Sequence, residues 1–191
     1  NEATTHLSSP TQVGTDTTWQ VRNSKSSGVF MTIKTDGTLW TWGSNNSGRL
    51  GHNESSPGNA KSSPTQVGTE TNWSTVSSSF PTSFGVKTDG TAWAWGRNEY
   101  GELAQNTQGN PGTTVSSPVQ IGTETNWLTI SCNPYAIYAQ KTDGTLWTWG
   151  NNSSGGLGLN QPTPTKLSSP TQIGTGTDWS TIIGTVATME N

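Results

Sequence analysis

The acidic pair Glu99 and Glu102 is the one local grouping in this sequence that could serve as a general acid and base or bind a cation. The two residues lie three positions apart in a segment predicted to be a loop, with no second acidic pair or histidine near them in sequence. Carboxylates in such segments usually belong to solvated loops. We therefore predict no catalytic role for the pair, and Glu102 is a candidate binding residue instead.

The other residue types that carry chemistry are isolated. His6 and His52 are the only histidines, and no Cys or His lies at ligand spacing beside either, so no metal site is predicted. Cys132 is the only cysteine and is predicted to be a small buried apolar residue. The sequence has neither a Gly-x-Ser-x-Gly elbow nor a phosphate-binding Gly-Lys-Ser/Thr motif. No enzyme activity and no cofactor are predicted.

A ten-residue stretch, Lys-Thr-Asp-Gly-Thr-x-Trp-x-Trp-Gly, occurs three times, beginning at positions 34, 87 and 141. Asp-Gly between two β-prone runs predicts a hairpin with a tight type I′ turn. The acidic residues of this stretch are therefore predicted to form turns rather than to catalyse a reaction. They are Asp36, Asp89 and Asp143.

The strand that leaves each turn carries two Trp residues at alternate positions, which places both indoles on one face. All ten Trp of the chain occupy positions defined by the repeats, so we predict packing roles rather than a sugar-stacking surface. The paired residues are Trp40 and Trp42, Trp93 and Trp95, and Trp147 and Trp149.

Composition and charge limit the class of protein. Only 27% of the 191 residues are hydrophobic, but ten Trp and many Thr argue against disorder. We expect an all-β protein with a thin core built around large rings. The net charge of −3, without a Lys/Arg cluster, argues against a nucleic-acid partner, and no apolar run is long enough to span a membrane.

Internal repeats predict the architecture. Trp19, Trp73, Trp127 and Trp179 are spaced by 54, 54 and 52 residues, a period typical of propeller blades. The repeat units are approximately 1–54, 55–108, 109–161 and an incomplete 162–191. In the second unit, strands are predicted at 64–67, 73–77, 84–87 and 92–95. The predicted fold is an all-β propeller of four-stranded antiparallel blades, with about three and a half blades present.

A glycine-bearing loop follows each hairpin, with the pattern Trp-Gly-x-Asn-x-x-Gly-x-Leu-Gly at 42–51 and close copies at 95–104 and 149–158. Together with the hairpin and the Pro-x-x-Val strand, this pattern resembles the repeat of the regulator of chromosome condensation family. The resemblance implies a seven-bladed propeller. Two features depart from it: Ala104 replaces the last Gly of the second loop, and the family's Gly-x-x-His segment before the hairpin is missing at 24–30, 78–83 and 132–137.

Both ends of the chain fall inside a repeat, and unclosed blades leave strand edges that invite pairing. We therefore expect a fragment of a longer propeller. The missing blades would be supplied by the rest of a longer chain or by a second copy.

Segments 53–60, 106–115 and 160–166 occupy the same place in successive repeats but differ in sequence. Variable loops on a rigid scaffold often carry binding function, although they can also be solubilising connectors. The candidate binding residues in the loops are Asn53, Glu54, Tyr100, Glu102, Asn106, Gln108, Tyr135, Asn160 and Gln161.

The function predicted from these features is a non-enzymatic binding or structural module that contacts a protein or a glycan. Richness in Ser, Thr, Asn and Gly resembles phage appendage and bacterial surface propellers, so display on a virion tail fibre or an extracellular surface is expected. The alternatives are a cytoplasmic, protein-regulating propeller, as the family's GTPase exchange factor and enzyme inhibitors imply, or a polysaccharide-binding domain.

Overall fold

The computed structural model describes residues 9–10, 12–26, 28–54, 59–107, 113–163, 165–183 and 186–189. Its strands form three four-stranded antiparallel sheets and one two-stranded sheet. Blade 1 contains β1 (Trp19–Ser26), β2 (Val29–Lys34), β3 (Leu39–Gly43) and β4 (Lys61–Gln66). Blade 2 contains β5 (Trp73–Ser79), β6 (Thr82–Lys87), β7 (Ala92–Arg97) and β8 (Thr114–Gln120). Blade 3 contains β9 (Trp127–Cys132), β10 (Ala136–Lys141), β11 (Leu146–Asn151) and β12 (Lys166–Gln172).

The two-stranded sheet follows blade 3 and contains β13 (Trp179–Ile183) and β14 (Val186–Met189). Within each blade the strands are hydrogen-bonded in chain order. The first strands of neighbouring blades contact each other: β5 packs against both β1 and β9. The predicted all-β fold of four-stranded antiparallel blades is confirmed.

The blades are offset from the sequence repeats. The strand around Pro64 opens the second repeat in sequence, but in the structure it is β4, the last strand of blade 1, where Gln66 pairs with Trp40. After β3, the loop brings the chain back so that β4 pairs with the free edge of β3. The last strand of each four-stranded blade therefore comes from the start of the following sequence repeat.

The hairpins form at the three Asp-Gly sites, but the predicted type I′ turn is wrong. A type I′ turn needs positive φ at both central residues, whereas only Gly37, at φ +79°, has it in the first hairpin. Gly37 N–H donates to Lys34 O at 2.9 Å, and Lys34 N–H donates to Thr38 O at 3.0 Å. This is a three-residue loop that ends in a glycine bulge. The glycine is also needed for space, because a Cβ there would overlap the Thr71 carbonyl oxygen of the next blade's entry loop.

A chain of side-chain hydrogen bonds joins each turn to an indole. In the second hairpin, Asp89 Oδ1 accepts hydrogen bonds from Thr91 N–H at 3.0 Å and from Thr91 Oγ1 at 2.7 Å. Thr91 Oγ1 accepts a hydrogen bond from Trp93 Nε1 at 2.9 Å. The turn carboxylate thus sets the orientation of the indole two residues beyond the threonine. The same bonds connect Asp36, Thr38 and Trp40, and Asp143, Thr145 and Trp147.

The hydrophobic core lies between neighbouring blades. Phe84 of blade 2 and Trp149 of blade 3 are both fully buried and pack edge to face, with ring centroids 6.3 Å apart. The Trp149 indole N–H donates to Glu102 O of blade 2 at 2.7 Å, and Trp95 donates to Arg49 O of blade 1 at 2.9 Å. Each of these indoles therefore holds its blade against the loop of the preceding blade.

Candidate binding surface between blades 2 and 3

The loop at 96–104 is held by a buried asparagine. Asn98 Oδ1 accepts a hydrogen bond from Leu103 N–H at 3.1 Å, and its amide nitrogen donates to Thr107 O at 3.1 Å. Such a side chain lets the loop turn without leaving backbone groups unpaired. Asn45 and Asn152 bond to Leu50 and Leu157 in the same way in the other two loops.

Gly101 lets this loop press against blade 3. Its φ is +85°, and a Cβ added to it would lie 2.7 Å from Ser168 Cα. Any other residue would meet both backbone strain and a steric clash there. The loop of blade 2 and the first residues of β12 are therefore held together.

This approach brings two tyrosines into contact. The ring centroids of Tyr100 and Tyr135 are 5.3 Å apart, with an interplanar angle of 83°. Tyr135 lies at the turn before β10 and has a φ of +105°, which is rare for a residue with a side chain. Both rings are half-buried, so each has a packed side and an accessible side.

Charged side chains surround the tyrosine pair. The Arg97 guanidinium lies 5.8 Å from the Tyr135 ring centre and pairs with Glu99 at 3.1 Å. Lys166 Nζ lies 4.6 Å from the Tyr100 ring centre. A hydrogen bond to Glu99, and then the negative charge of that group, raises the pKa of the Tyr100 hydroxyl, which stays a neutral donor. We call these five residues (Arg97, Glu99, Tyr100, Tyr135 and Lys166) the tyrosine patch.

Glu102 is buried and is not part of the tyrosine patch. Its side chain is fully buried, and its Oε2 accepts a hydrogen bond from the Tyr100 backbone N–H at 2.7 Å. Burial raises the pKa of its carboxyl group. The residue cannot touch a partner directly, so its role as a surface binding residue is corrected to that of a positioning residue for Tyr100.

No described contact joins the remaining predicted loop residues to the ring of Tyr100 or Tyr135. Asn53 and Asn106 are exposed with φ of +59° and +55°, and their N–H groups donate to Ser116 O and Ser168 O of the following blade. Glu54 pairs with Lys61 at 2.9 Å. Exposed positions are also taken by Asn160 and Gln161, while Gln108 and His6 lie outside the described residues.

Sequence reasoning named Tyr100 and Tyr135 but missed Arg97 and Lys166. Arg97 occupies the variable position after the Trp-Gly of the loop motif, where the other loops have Ser44 and Asn151. A charged residue at a position that is otherwise polar and neutral was the available signal. Lys166 begins β12, and nothing in the sequence connects it to Tyr100.

Groups that could do other chemistry are separated in the structure. Across the described ranges, no three His, Cys, Asp or Glu side chains come together as a metal site. Burial raises the pKa of the Cys132 thiol to about 12, which keeps it protonated. Among these same residues, no helix is long and apolar enough to cross a membrane.

The four-stranded antiparallel sheets repeat along the chain, and neighbouring sheets contact each other through their first strands and through loop carbonyls. This arrangement defines a β-propeller.

The chain belongs to the family of the regulator of chromosome condensation (RCC1) repeat, whose model matches residues 36–79, 89–134 and 143–183. A similar curated protein is the human probable E3 ubiquitin-protein ligase HERC6, which is 29% identical over 138 residues. The match covers 71% of this chain and 13% of that protein.

Solved structures share the fold. Prp20p from Saccharomyces cerevisiae matches with a TM-score of 0.70 and 17% identity, over 80% of this chain and 38% of that chain. Yeast RCC1 (Prp20) bound to Kap60 matches with a TM-score of 0.74 and 17% identity, over 88% of this chain and 40% of that chain. Human WBSCR16 matches with a TM-score of 0.67 and 23% identity, over 80% of this chain and 37% of that chain. This chain therefore spans less than half of each of these proteins.

Proposed function

We propose that this chain is a non-enzymatic binding module of a β-propeller and that the tyrosine patch contacts a protein partner. The observation that carries the proposal is the Tyr100–Tyr135 contact, which joins the loops of two blades into one surface. Tyrosine and arginine are among the residue types most enriched where protein interfaces concentrate their binding energy. Half-buried rings also lose little side-chain entropy on binding, since their packed sides are already ordered.

The surface is held rigidly from below. Gly101 fixes the approach of the loop to β12, and Glu102 holds the Tyr100 backbone through a 2.7 Å hydrogen bond. A preorganised surface of this kind reduces the cost of binding. The patch carries two basic groups and one acidic group, which favours a partner with a mixed or mildly acidic surface.

The relatives support binding of proteins by this fold. Prp20p of yeast binds Gsp1p and histones, and yeast RCC1 (Prp20) has been solved bound to Kap60. A protein-regulating propeller is accordingly the alternative function for this chain. The ligase HERC6 shares only the matched 13% of its length, so we do not extend ligase activity to this chain.

Further parts of the proposal concern assembly and place of action. We infer that additional blades, from a longer chain or a second copy, complete the ring, since the relatives are more than twice as long as the matched part of this chain. Display on a virion or cell surface is the proposed location, on the support of the Ser-, Thr- and Asn-rich composition, with the cytoplasm as the alternative. A glycan is the alternative ligand of the patch.

Site-specific photo-crosslinking tests the proposal. A photoreactive phenylalanine analogue would replace Tyr100 or Tyr135 and, as a control, Leu128, which is 49% exposed and belongs to a different surface. We expect crosslinked protein adducts when the analogue stands at position 100 or 135, and none when it stands at position 128. An excess of unlabelled wild-type chain should suppress these adducts by competing for the partner. The partner identified in the adduct should then bind the purified Tyr100→Ala variant at least about tenfold more weakly than wild type.

Equal adducts from all three positions, or none from the patch, would overturn the proposal. Purified Gsp1p and histones should be tested in the same binding assay, because binding of either one would favour the regulatory alternative. If immobilised glycans retain the wild-type chain but not the Tyr100→Ala variant, a glycan is favoured as the ligand of the patch.

A further inference from the structure

A groove of about 360 Å³ lies between blades 1 and 2 and shares no residue with the tyrosine patch. Its lining residues include Trp93, His52, Glu70, Ser117 and the nearly buried Trp73. The volume is at the lower end of the range for small-molecule sites. We propose that this groove binds one ring of a neutral sugar.

The hydrogen bonds of His52 define which of its nitrogens can accept a hydrogen bond from a ligand. Thr41 Oγ1 lies 2.7 Å from Leu50 O, and this carbonyl can only accept, so the single hydroxyl proton is used there. His52 Nε2 lies 2.9 Å from the same hydroxyl oxygen and must therefore donate its proton to it. Nδ1 of the neutral ring is then an acceptor. Burial lowers the pKa of His52 and favours this neutral form.

The indole wall is held in place by groups outside the groove. Trp93 Nε1 donates to Thr91 Oγ1 at 2.9 Å, and Lys87 Nζ lies 3.7 Å from the Trp93 ring centre. Glu70 Oε1 accepts a hydrogen bond from Lys87 Nζ at 2.6 Å, and its side chain is half exposed. The second carboxylate oxygen of Glu70 is an acceptor that can face the groove.

These charges select the class of ligand. Lys87 and Glu70 form an ion pair with no net charge, and the His52 ring is neutral, so the groove offers no unpaired charge that would attract a cation or an anion. The Lys87 ammonium also already lies on the Trp93 ring, where a cationic ligand would have to compete with it. A neutral molecule with an apolar face and several hydroxyl donors suits both the indole and the acceptors. A pyranose ring has this combination.

The equivalent space between blades 2 and 3 provides an internal comparison. Gln105 takes the place of His52 in the loop, and its amide nitrogen donates to Leu103 O at 3.1 Å and to Gln120 O at 2.9 Å. Glu124 takes the place of Glu70, pairs with Lys141 at 2.7 Å and is exposed to the same extent, at 50%. The two carboxylates are therefore matched in ion pairing, while only Glu70 lines the groove.

Saturation-transfer NMR with methyl glycosides of glucose, galactose and N-acetylglucosamine tests this site, with tetramethylammonium as a cationic probe. We expect at least one glycoside to receive saturation from the wild-type chain and tetramethylammonium to receive none. His52→Gln, which introduces the residue found in the other loop, and Glu70→Gln should each weaken glycoside binding about tenfold. Glu124→Gln should leave it unchanged.

Three results would overturn the proposal. The first is no transfer to any of the three glycosides, and the second is transfer to tetramethylammonium in preference to them. The third is an equal loss in Glu70→Gln and Glu124→Gln, which would show that the carboxylate acts through blade stability alone. A thermal melt of each variant separates that effect from loss of the site.

Discussion

The ammonium nitrogen of Lys87 lies 3.7 Å from the ring centre of Trp93, and the Lys87 side chain is only 3% exposed. Trp73 lies on another side at 5.0 Å, and Glu70 pairs with the ammonium at 2.6 Å. Indole faces and a carboxylate together compensate the cost of burying this charge. The arrangement recurs at Lys34 with Trp40 (3.8 Å) and at Lys141 with Trp147 (3.9 Å). It explains why a lysine begins each repeated hairpin sequence.

Replacing Lys87 with Ala should lower the free energy of unfolding by about 2 kcal/mol, because both the cation–indole contact and the packing of the lysine stem are lost. Glu70→Gln removes only a half-exposed partner and should cost less than about 1 kcal/mol. Urea denaturation followed by circular dichroism measures both. Equal losses in the two variants would show that the ion pair, and not the indoles, stabilises the lysine.

Trp95→Ala should destabilise the protein by about 3–5 kcal/mol, as truncation of a fully buried aromatic residue does. The variant also leaves the Arg49 carbonyl without the indole donor that joins blades 1 and 2. Trp42 is the equivalent residue of blade 1 and is the matched control, since it is half-buried and stacks on the 42% exposed Phe30. We expect Trp42→Ala to cost clearly less. An unchanged melting temperature in Trp95→Ala would contradict its packing role.

Gly101→Ala should destabilise the protein more than Gly155→Ala does. Both glycines have positive φ, +85° and +72°, so each alanine pays a backbone cost of about 1–2 kcal/mol. Only at Gly101 would the new Cβ meet another blade, 2.7 Å from Ser168 Cα, whereas nothing lies within 4 Å at Gly155. Differential scanning calorimetry of the pair isolates the contact between blades 2 and 3. Equal melting temperatures would mean that the loop does not need to approach β12 so closely.

The turn carboxylates should make the protein less stable in acid. Hydrogen bonds, first from the side chain and then from the backbone N–H of Thr91, lower the pKa of Asp89. A carboxyl group whose pKa is lowered by folding stabilises the protein above its unfolded pKa of about 3.9 and loses that contribution as pH falls through the folded pKa. Asp89→Asn removes the titrating group, so its stability deficit should be largest at neutral pH and should shrink below about pH 4. Urea titrations between neutral pH and pH 2 would contradict this if the deficit stayed constant.

The candidate site was only partly predictable. The sequence singles out Tyr100 and Tyr135 as aromatic residues outside the Trp framework, but 35 positions separate them, and nothing in the sequence indicates that they touch. A glutamate in a polar, loop-forming segment is predicted to be exposed. Glu102 is instead fully buried, in a loop that Gly101 allows to approach β12 closely.

The sequence by itself determined the repeat period, the hairpins and the four-stranded antiparallel blades, because these depend on the alternation of neighbouring residues and on the Asp-Gly pairs within one stretch. Only the tertiary structure decided that β4 completes blade 1, that Trp95 donates to the Arg49 carbonyl, and that His52 lines the same groove as Trp73 and Trp93. Those contacts join residues of different repeats. They depend on how closely two blades approach, which is set by the packing of large side chains and by the glycines that permit the contact.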